Sequence, residues 1–172
     1  MKVIFLDIDG VLNSEEFFET LPYKKHDKYI KEGYTEDQAF GLCNIDSVPV
    51  AKLNYLLSQT MAKIVVSSSW RGSDPELQET FAVVGIPHYI DITPYHKDRH
   101  RGTEIQMWLD KHPEVENYVI LDDDNDMLEH QLEHFVQTNW MKRGLSDEDV
   151  EQAINILNNV KYRSNNNRIV KE

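Results

Sequence analysis

The chain opens with a short apolar segment that ends in two carboxylates and a glycine. Residues 3–13 read VIFLDIDGVLN, and the apolar part is typical of a strand buried on both faces. Asp7 and Asp9 point to the same side of a continuing strand, where like charges repel and burial adds a desolvation cost. A hard cation such as Mg²⁺ stabilises such a pair, and Gly10 permits a sharp turn. The segment predicts a strand that ends in a cation site; an ordinary strand followed by an acidic turn is the alternative.

Length and charge narrow the class of protein. The chain has 172 residues, which favours a single domain with a small insertion. Its 30 acidic and 18 basic residues give a formal charge of -12, which argues against an extended nucleic-acid-binding surface. A local basic pocket for one phosphate is compatible with this charge.

Cysteine content and hydropathy indicate the cellular context. Cys43 is the single cysteine, so no intramolecular disulfide is expected, and we interpret it as a partly buried side chain rather than a nucleophile. Acidic residues interrupt the first apolar run, and no run approaches transmembrane length. We therefore expect a cytoplasmic protein with no signal peptide and no membrane partner.

Strand and helix patterns alternate along the chain, which predicts an α/β fold with a parallel sheet. Strands are predicted at 2–6, 63–66, 88–92, 118–121 and 135–137. Helices are predicted, among others, at 50–59, 103–111, 127–134 and 147–158. We interpret residues 14–45, which are polar and dotted with aromatics, as a small cap-like insertion, and residues 162–172 as a flexible tail.

Three of the predicted strands end in polar clusters. The clusters are Asp7 with Asp9, Ser67 with Ser68, and Asp122 with Asp123. Serines after a strand are often turn residues, and an acidic run is often a solvated loop. However, ligands of open α/β sheets bind beyond the carboxyl ends of the strands. Three polar clusters at such ends therefore predict one functional site.

The order and spacing of these clusters resemble the haloacid-dehalogenase-like (HAD) hydrolase superfamily. The matching motifs are Asp7-Ile8-Asp9-Gly10-Val11, Val65-Val66-Ser67, a cation near a helix start, and Val119-Ile120-Leu121-Asp122-Asp123. Further segments resemble the HAD domains of Swiss Army Knife RNA-repair proteins. These segments are Ser67-Ser68-Ser69-Trp70-Arg71, Arg101-Gly102-x-Glu104-Ile105 and Gly144-Leu145-Ser146. The resemblance implies one HAD-like hydrolase domain over residues 1–172, with a Rossmann-like three-layer fold and a parallel sheet ordered 3-2-1-4-5.

The resemblance also implies catalytic roles. Asp7 is expected to attack phosphorus and form an aspartyl-phosphate. Asp9 is expected to act as general acid for the leaving oxygen and then as base for the hydrolytic water. Ser67 and the amide of Ser68 are expected to hydrogen-bond the phosphoryl group and stabilise its transition-state charge.

A magnesium site follows from the same resemblance. Its expected ligands are Asp7, the backbone carbonyl of Asp9, and Asp123, with Asp122 as an indirect partner. The alternatives at the second acidic cluster are Asp122, Asp124 and Asp126.

The cation of the third motif has three candidates. Arg101 precedes a predicted helix and is our choice, while Lys97 and Arg99 are rivals in the same basic stretch. A solvated basic loop is the alternative for the whole stretch. An arginine would contact phosphate in a bidentate manner, unlike the lysine usual in the superfamily.

Trp70 and Arg71 follow the serine motif directly. An indole ring beside a guanidinium is able to stack on a nucleobase and hold a second phosphate. The alternative places Trp70 in the core and Arg71 in a salt bridge.

Three functions are compatible with these residues. The first is a Mg²⁺-dependent phosphatase that acts on nucleotides or on the terminal phosphates of nucleic acids. The second uses the same chemistry on a phosphorylated small metabolite. The third is a HAD-like binding domain without turnover, which the presence of both Asp7 and Asp9 disfavours.

Overall fold

A parallel sheet of five strands forms the centre of the protein. The structure is a computed structural model, and it describes residues 1–20, 25–74 and 76–159. The strands are β1 (Lys2–Leu6), β2 (Lys63–Val66), β3 (Asp91–Ile92), β4 (Asn117–Asp122) and β5 (Phe135–Gln137). Their order across the sheet is β3-β2-β1-β4-β5, and every neighbouring pair is parallel. The predicted α/β class and strand order are confirmed.

Helices connect the strands and cover both faces of the sheet. The α-helices are α1 (Glu15–Thr20), α2 (Lys25–Lys31), α3 (Glu36–Asn44), α4 (Ser47–Thr60), α5 (Glu76–Val84), α6 (Arg101–Leu109) and α7 (Asp147–Leu157). Two 3-10 helices span Ser69–Ser73 and Glu129–His134. Within the described ranges, no helix is long and apolar enough to cross a membrane.

Alternation along β1 separates two hydrophobic cores. Ile4 and Leu6 belong to the larger core, which also contains residues of α4, α5 and α7. Val3 and Phe5 belong to the smaller core, where Phe5 meets the ring of Trp108 of α6 edge to face. The strand is therefore buried on both faces and sits between two helical layers, as its apolar composition predicts.

Two predicted elements differ in the structure. The strand predicted at 88–92 is reduced to Asp91 and Ile92, which pair with the end of β2 at the edge of the sheet. The α-helix predicted at 127–134 is wrong, since this segment forms a 3-10 helix. Its geometry follows from Gln131, which accepts a hydrogen bond from the Leu128 amide and donates one to the Gly102 carbonyl. These bonds attach the start of the segment to α6, and so short a segment adopts the narrower 3-10 geometry, with three residues per turn.

The segment predicted to be an insertion contains α1, α2 and α3. Helix α3 packs closely on α5, because Gly41 faces Thr80 so directly that an added Cβ would lie 2.5 Å from the Thr80 methyl carbon. A cap-like role for residues 14–45 stays a prediction, and residues 21–24 of this segment lie outside the described ranges. The tail predicted at 162–172 also lies outside them.

Candidate active site

The end of β1 places Asp7 at the carboxyl edge of the sheet. The Asp7 amide donates to the Leu121 carbonyl at 3.0 Å, which extends the pairing of β1 with β4 beyond Leu6. The chain then turns at Gly10, which has φ of +74°. A Cβ at Gly10 would lie 2.4 Å from Cγ of Asp123, so glycine is required for the two acidic segments to approach each other.

The carboxylate of Asp9 is held at both oxygens. The side-chain amide of Asn13 donates to Oδ1 at 2.9 Å, and the indole Nε1 of Trp70 donates to Oδ2 at 2.9 Å. Asn13 Oδ1 in turn accepts from the Gly10 amide at 3.0 Å. The orientation of the Asp9 carboxylate is therefore fixed by Asn13 and Trp70 and not by the backbone of β1.

Two serines at the end of β2 face the same edge. Ser67 and Ser68 are completely buried. Among the described residues, the Ser67 hydroxyl has no hydrogen-bond partner, although a buried hydroxyl normally has one. The Ser68 hydroxyl accepts from the Trp70 amide at 3.3 Å and also hydrogen-bonds Asp7. Ser67 is thus a buried donor available to a group that enters the site.

The start of helix α6 is held both by its N-cap residue His100, whose side chain accepts from the Thr103 amide at 3.3 Å, and by Asp126. The Arg101 amide donates to Oδ2 of Asp126 at 2.8 Å, and the Gly102 amide donates to its carbonyl oxygen at 3.0 Å. These bonds satisfy amides that a helix start leaves without partners. Helix α6 thus begins two residues before the predicted start, and the bond from Arg101 occupies the Asp126 carboxylate, which was an alternative metal ligand.

The side chain of Arg101 bridges the first and fourth motifs. Its Nη2 lies 3.5 Å from Oδ1 of Asp7, and its Nε lies 3.1 Å from Oδ2 of Asp122. Lys97 and Arg99, the rival candidates, are exposed. Of the three cations, Arg101 is therefore the one that the structure places against these carboxylates.

Three acids converge beside Arg101. Asp7, Asp122 and Asp123 each offer an oxygen within 4.8 Å of the other two. Burial raises the pKa of Asp7 to about 6, although Arg101 opposes this shift. Burial and the charge of Asp7 raise the pKa of Asp122 to about 8. Burial also raises the pKa of Asp123. Clustered carboxylates that resist ionisation form an all-oxygen donor set suited to a hard cation.

Arg71 is buried beneath the serine segment. Its Nη1 donates to the carbonyl oxygens of Ser67 at 3.0 Å and Ser68 at 2.7 Å, and its Nη2 pairs with Glu104 of α6. The guanidinium thereby ties the end of β2 to α6, in the salt bridge that was the alternative interpretation of this residue. A role for Arg71 in binding substrate stays a prediction.

Thr138 and Gly144 support the site although neither was assigned a role from the sequence, where Gly144 was named only within a segment that carries the family resemblance. Thr138 follows β5 and donates its hydroxyl proton to the Gly10 carbonyl at 2.8 Å, which supports the turn after Asp9. Gly144 lies against the same turn, where an added Cβ would be 2.4 Å from the Val11 carbonyl oxygen. Thr138 directly follows β5, as Asp7 follows β1 and Ser67 follows β2. A polar residue directly after a strand was therefore the sequence signal that could have identified Thr138.

Fold and site together define the class of this protein. The sheet is ordered 3-2-1-4-5, with an acidic pair after β1, serines after β2 and a second acidic pair at the end of β4. These are the features of a HAD-like domain. The family model described as HAD domain in Swiss Army Knife RNA repair proteins matches residues 3–150. The chain belongs to this family of HAD-type hydrolase domains. No curated protein and no solved structure gives a match to the chain.

Proposed function

We propose that the chain is a Mg²⁺-dependent phosphatase that hydrolyses phosphomonoesters. The observation that carries the proposal is the contrast between Asp7 and Asp9. Asp7 is buried beside Arg101 and within the cluster of acids, whereas Asp9 is partly exposed and held by two N–H donors. Two carboxylates in different surroundings are suited to different tasks in one reaction.

The reaction begins with attack by a carboxylate oxygen of Asp7 on phosphorus. The bond from phosphorus to the leaving oxygen breaks, and that oxygen takes a proton from Asp9, which leaves an aspartyl-phosphate on Asp7. Asp9, now ionised, takes a proton from water as the water attacks phosphorus. Phosphate departs and Asp7 is regenerated. The Ser67 hydroxyl and the Arg101 guanidinium are the groups that stabilise charge on the phosphoryl oxygens.

The magnesium ion would be held by Asp7, the backbone carbonyl of Asp9, and Asp123. Asp122 is less available as a direct ligand, because its Oδ1 accepts the Asp124 amide and its Oδ2 faces Arg101. When bound, the cation would offset the repulsion among these acids and between Asp7 and an incoming phosphate.

Phosphate release from an aryl phosphate tests the reaction. We expect activity that requires Mg²⁺ and that chelation removes. Asp7→Asn is expected to abolish turnover, and Asp9→Asn to lower it, because hydrolysis of the aspartyl-phosphate needs Asp9 as the base even when an aryl oxide leaves without a proton. The matched control is Asp110→Asn, which changes an exposed acid at the far end of α6. Equal rates for the wild type and Asp7→Asn would contradict the proposal.

We infer that the substrate is a nucleotide or the terminal phosphate of a nucleic acid. Support comes from the family, whose description refers to RNA repair proteins. A panel of terminally phosphorylated oligonucleotides, mononucleotides and sugar phosphates tests this inference at equal concentrations. The highest kcat/KM is expected for a nucleotide or an oligonucleotide. A preference for sugar phosphates over every nucleotide would favour a metabolite phosphatase instead.

A further inference from the structure

We propose that Trp70 and Asn13 are positioning residues that hold Asp9 for proton transfer, and that helix α3 sets their position. The inference rests on the proposed function, since it assigns these residues to the proton-transfer step of the same site. Trp70 and Asn13 together are called the Asp9 clamp below.

The clamp fixes the carboxylate from two directions. Asn13 comes from the turn after β1 and donates to one oxygen, while Trp70 comes from the 3-10 helix after β2 and donates to the other. Both distances are 2.9 Å. A carboxylate bonded at each oxygen to donors on separate elements has little rotational freedom, so it is held in place before a substrate enters.

The indole ring is itself fixed by its surroundings. The backbone amide of Trp70 bonds the Ser68 hydroxyl, and the Trp70 side chain packs at the edge of the larger core. The ring of Phe40 contacts it with centroids 5.0 Å apart. The Trp70 N–H is therefore directed at Asp9 by packing, whereas a residue that only stacks on a nucleobase requires no such bond.

Helix α3 contacts both arms of the clamp. Phe40, which touches Trp70, lies in the middle of α3, and the carbonyl oxygen of Asn44, the last residue of α3, accepts from the Asn13 side chain at 3.1 Å. The tight contact of Gly41 with Thr80 holds α3 on the domain. The predicted insertion thus connects directly to the general acid, and the position of α3 determines the geometry of Asp9.

A test follows from the chemistry of the leaving group. An alkyl alkoxide is a poor leaving group and needs the proton from Asp9, whereas an activated aryl oxide leaves without it. A misplaced Asp9 should therefore slow formation of the aspartyl-phosphate much more for alkyl phosphates than for aryl phosphates, whereas the later hydrolysis of that intermediate is the same for both esters. Binding of either ester should change little, because the side chains of Asn13 and Trp70 bond Asp9 and are not the groups proposed to hold the phosphoryl oxygens.

The experiment measures kcat/KM, which reports the steps up to formation of the aspartyl-phosphate, for an aryl and an alkyl phosphate in Trp70→Phe and Asn13→Ala. We expect kcat/KM for the alkyl ester to fall by about 10- to 100-fold and kcat/KM for the aryl ester to fall by less than about fivefold. Trp108→Phe is the matched control, since it removes an indole bond to Asp91 at 2.7 Å. Equal losses on both esters, a change confined to the KM of nucleotides, or behaviour like Trp108→Phe would overturn the proposal.

A spectroscopic measurement separates the clamp from the proposed function. The indole N–H resonance of Trp70, assigned by its loss in Trp70→Phe, is expected to shift in Asp9→Ala and in Phe40→Leu but not in Asp110→Asn. A resonance that is unmoved in Asp9→Ala would overturn the clamp whatever the activity. A protein with the expected shifts whose wild type releases no phosphate would instead overturn the proposed function, and with it the role of the clamp in proton transfer.

Discussion

Asp7 and Asp9 are separated by one residue, yet their side chains have different partners. Asp7 is 5 % exposed and lies beside Arg101 and two further acids. Asp9 is bonded by Asn13 and Trp70. Spacing places both on one side of the strand, but the turn at Gly10 and the neighbouring strands decide which groups surround each of them.

Gly10→Ala tests the close approach of the two acidic segments. The new Cβ would meet Cγ of Asp123 at 2.4 Å, and the positive φ adds a backbone cost of about 1–2 kcal/mol. We expect a lower melting temperature and weaker Mg²⁺ binding by calorimetry. Gly33→Ala is the matched control, because Gly33 has φ of +94° with nothing within 4 Å of its Cβ position. If both variants bound Mg²⁺ like the wild type, the role of Gly10 would be contradicted.

The buried acids predict how the stability of the metal-free protein depends on pH. The pKa values of Asp7 and Asp122 rise to about 6 and about 8, so the folded state binds more protons than the unfolded state above about pH 4. The free energy of unfolding in a chelator should therefore fall as the pH rises through these values toward about pH 8. Urea unfolding at several pH values measures this slope.

Asp122→Asn is the informative variant in that experiment. It removes the carboxyl with the higher pKa, so the decrease between about pH 6 and about pH 8 should become smaller. An unchanged slope in this variant would show that Asp122 is not the group that titrates there.

At the scale of elements, the loops after the strands are held by side chains from distant segments. Asp126 caps α6 and so directs Arg101 toward Asp7. Arg71 joins the serine segment to Glu104 of the same helix. Two loops thus fix the position of α6 at the site. This position brings Arg101, which is remote in sequence, close to Asp7.

The contact between α3 and α5 predicts a rescue experiment. Gly41→Ala improves the intrinsic helix propensity but places a Cβ 2.5 Å from the Thr80 methyl carbon, so we expect a net loss of about 1–3 kcal/mol. Thr80→Ser removes that methyl and keeps the hydroxyl that bonds the Asp37 carbonyl. The double variant should therefore recover most of the stability in denaturant unfolding. Additive losses would show that the two helices do not meet as described.

At the scale of the whole molecule, charge limits how a nucleic acid is able to bind. The net charge of -12 opposes a long phosphate backbone, while Arg101 supplies a local positive charge at the site. Under the proposed function, this charge distribution favours recognition of the end of a strand over recognition of its length.

This limit predicts kinetics with terminally phosphorylated oligonucleotides. The KM for a dinucleotide and for a strand of about a dozen nucleotides should agree within about threefold, because few backbone phosphates are contacted. The slope of log KM against log salt concentration should correspond to about one or two phosphates. A KM that falls at least about tenfold with length, with a steep salt dependence, would indicate an extended binding surface.

Much of the fold follows from residue types and short spacings. The apolar runs predict four of the strands to within one residue at each end, and the polar residues after them predict where the acids and serines gather. These features are local, since strand formation and the direction of alternate side chains depend on neighbouring residues. The weak edge strand β3 and the 3-10 helix at Glu129–His134 depend on tertiary contacts, and there the predictions differ from the structure.

Several partners of the site residues come from packing between segments distant in sequence. The bond from Trp70 to Asp9 joins positions 61 residues apart, and the pair of Arg71 with Glu104 joins positions 33 apart. From the sequence, Trp70 was expected either to stack on a nucleobase or to lie in the hydrophobic core. Arg71 was expected either to contact a phosphate or to form a salt bridge. The choice among such options depends on which loops meet at the sheet edge, a property of the folded chain. Residue types and their order thus determine the class of chemistry, whereas the tertiary structure determines which side chains hold each reactive group in place.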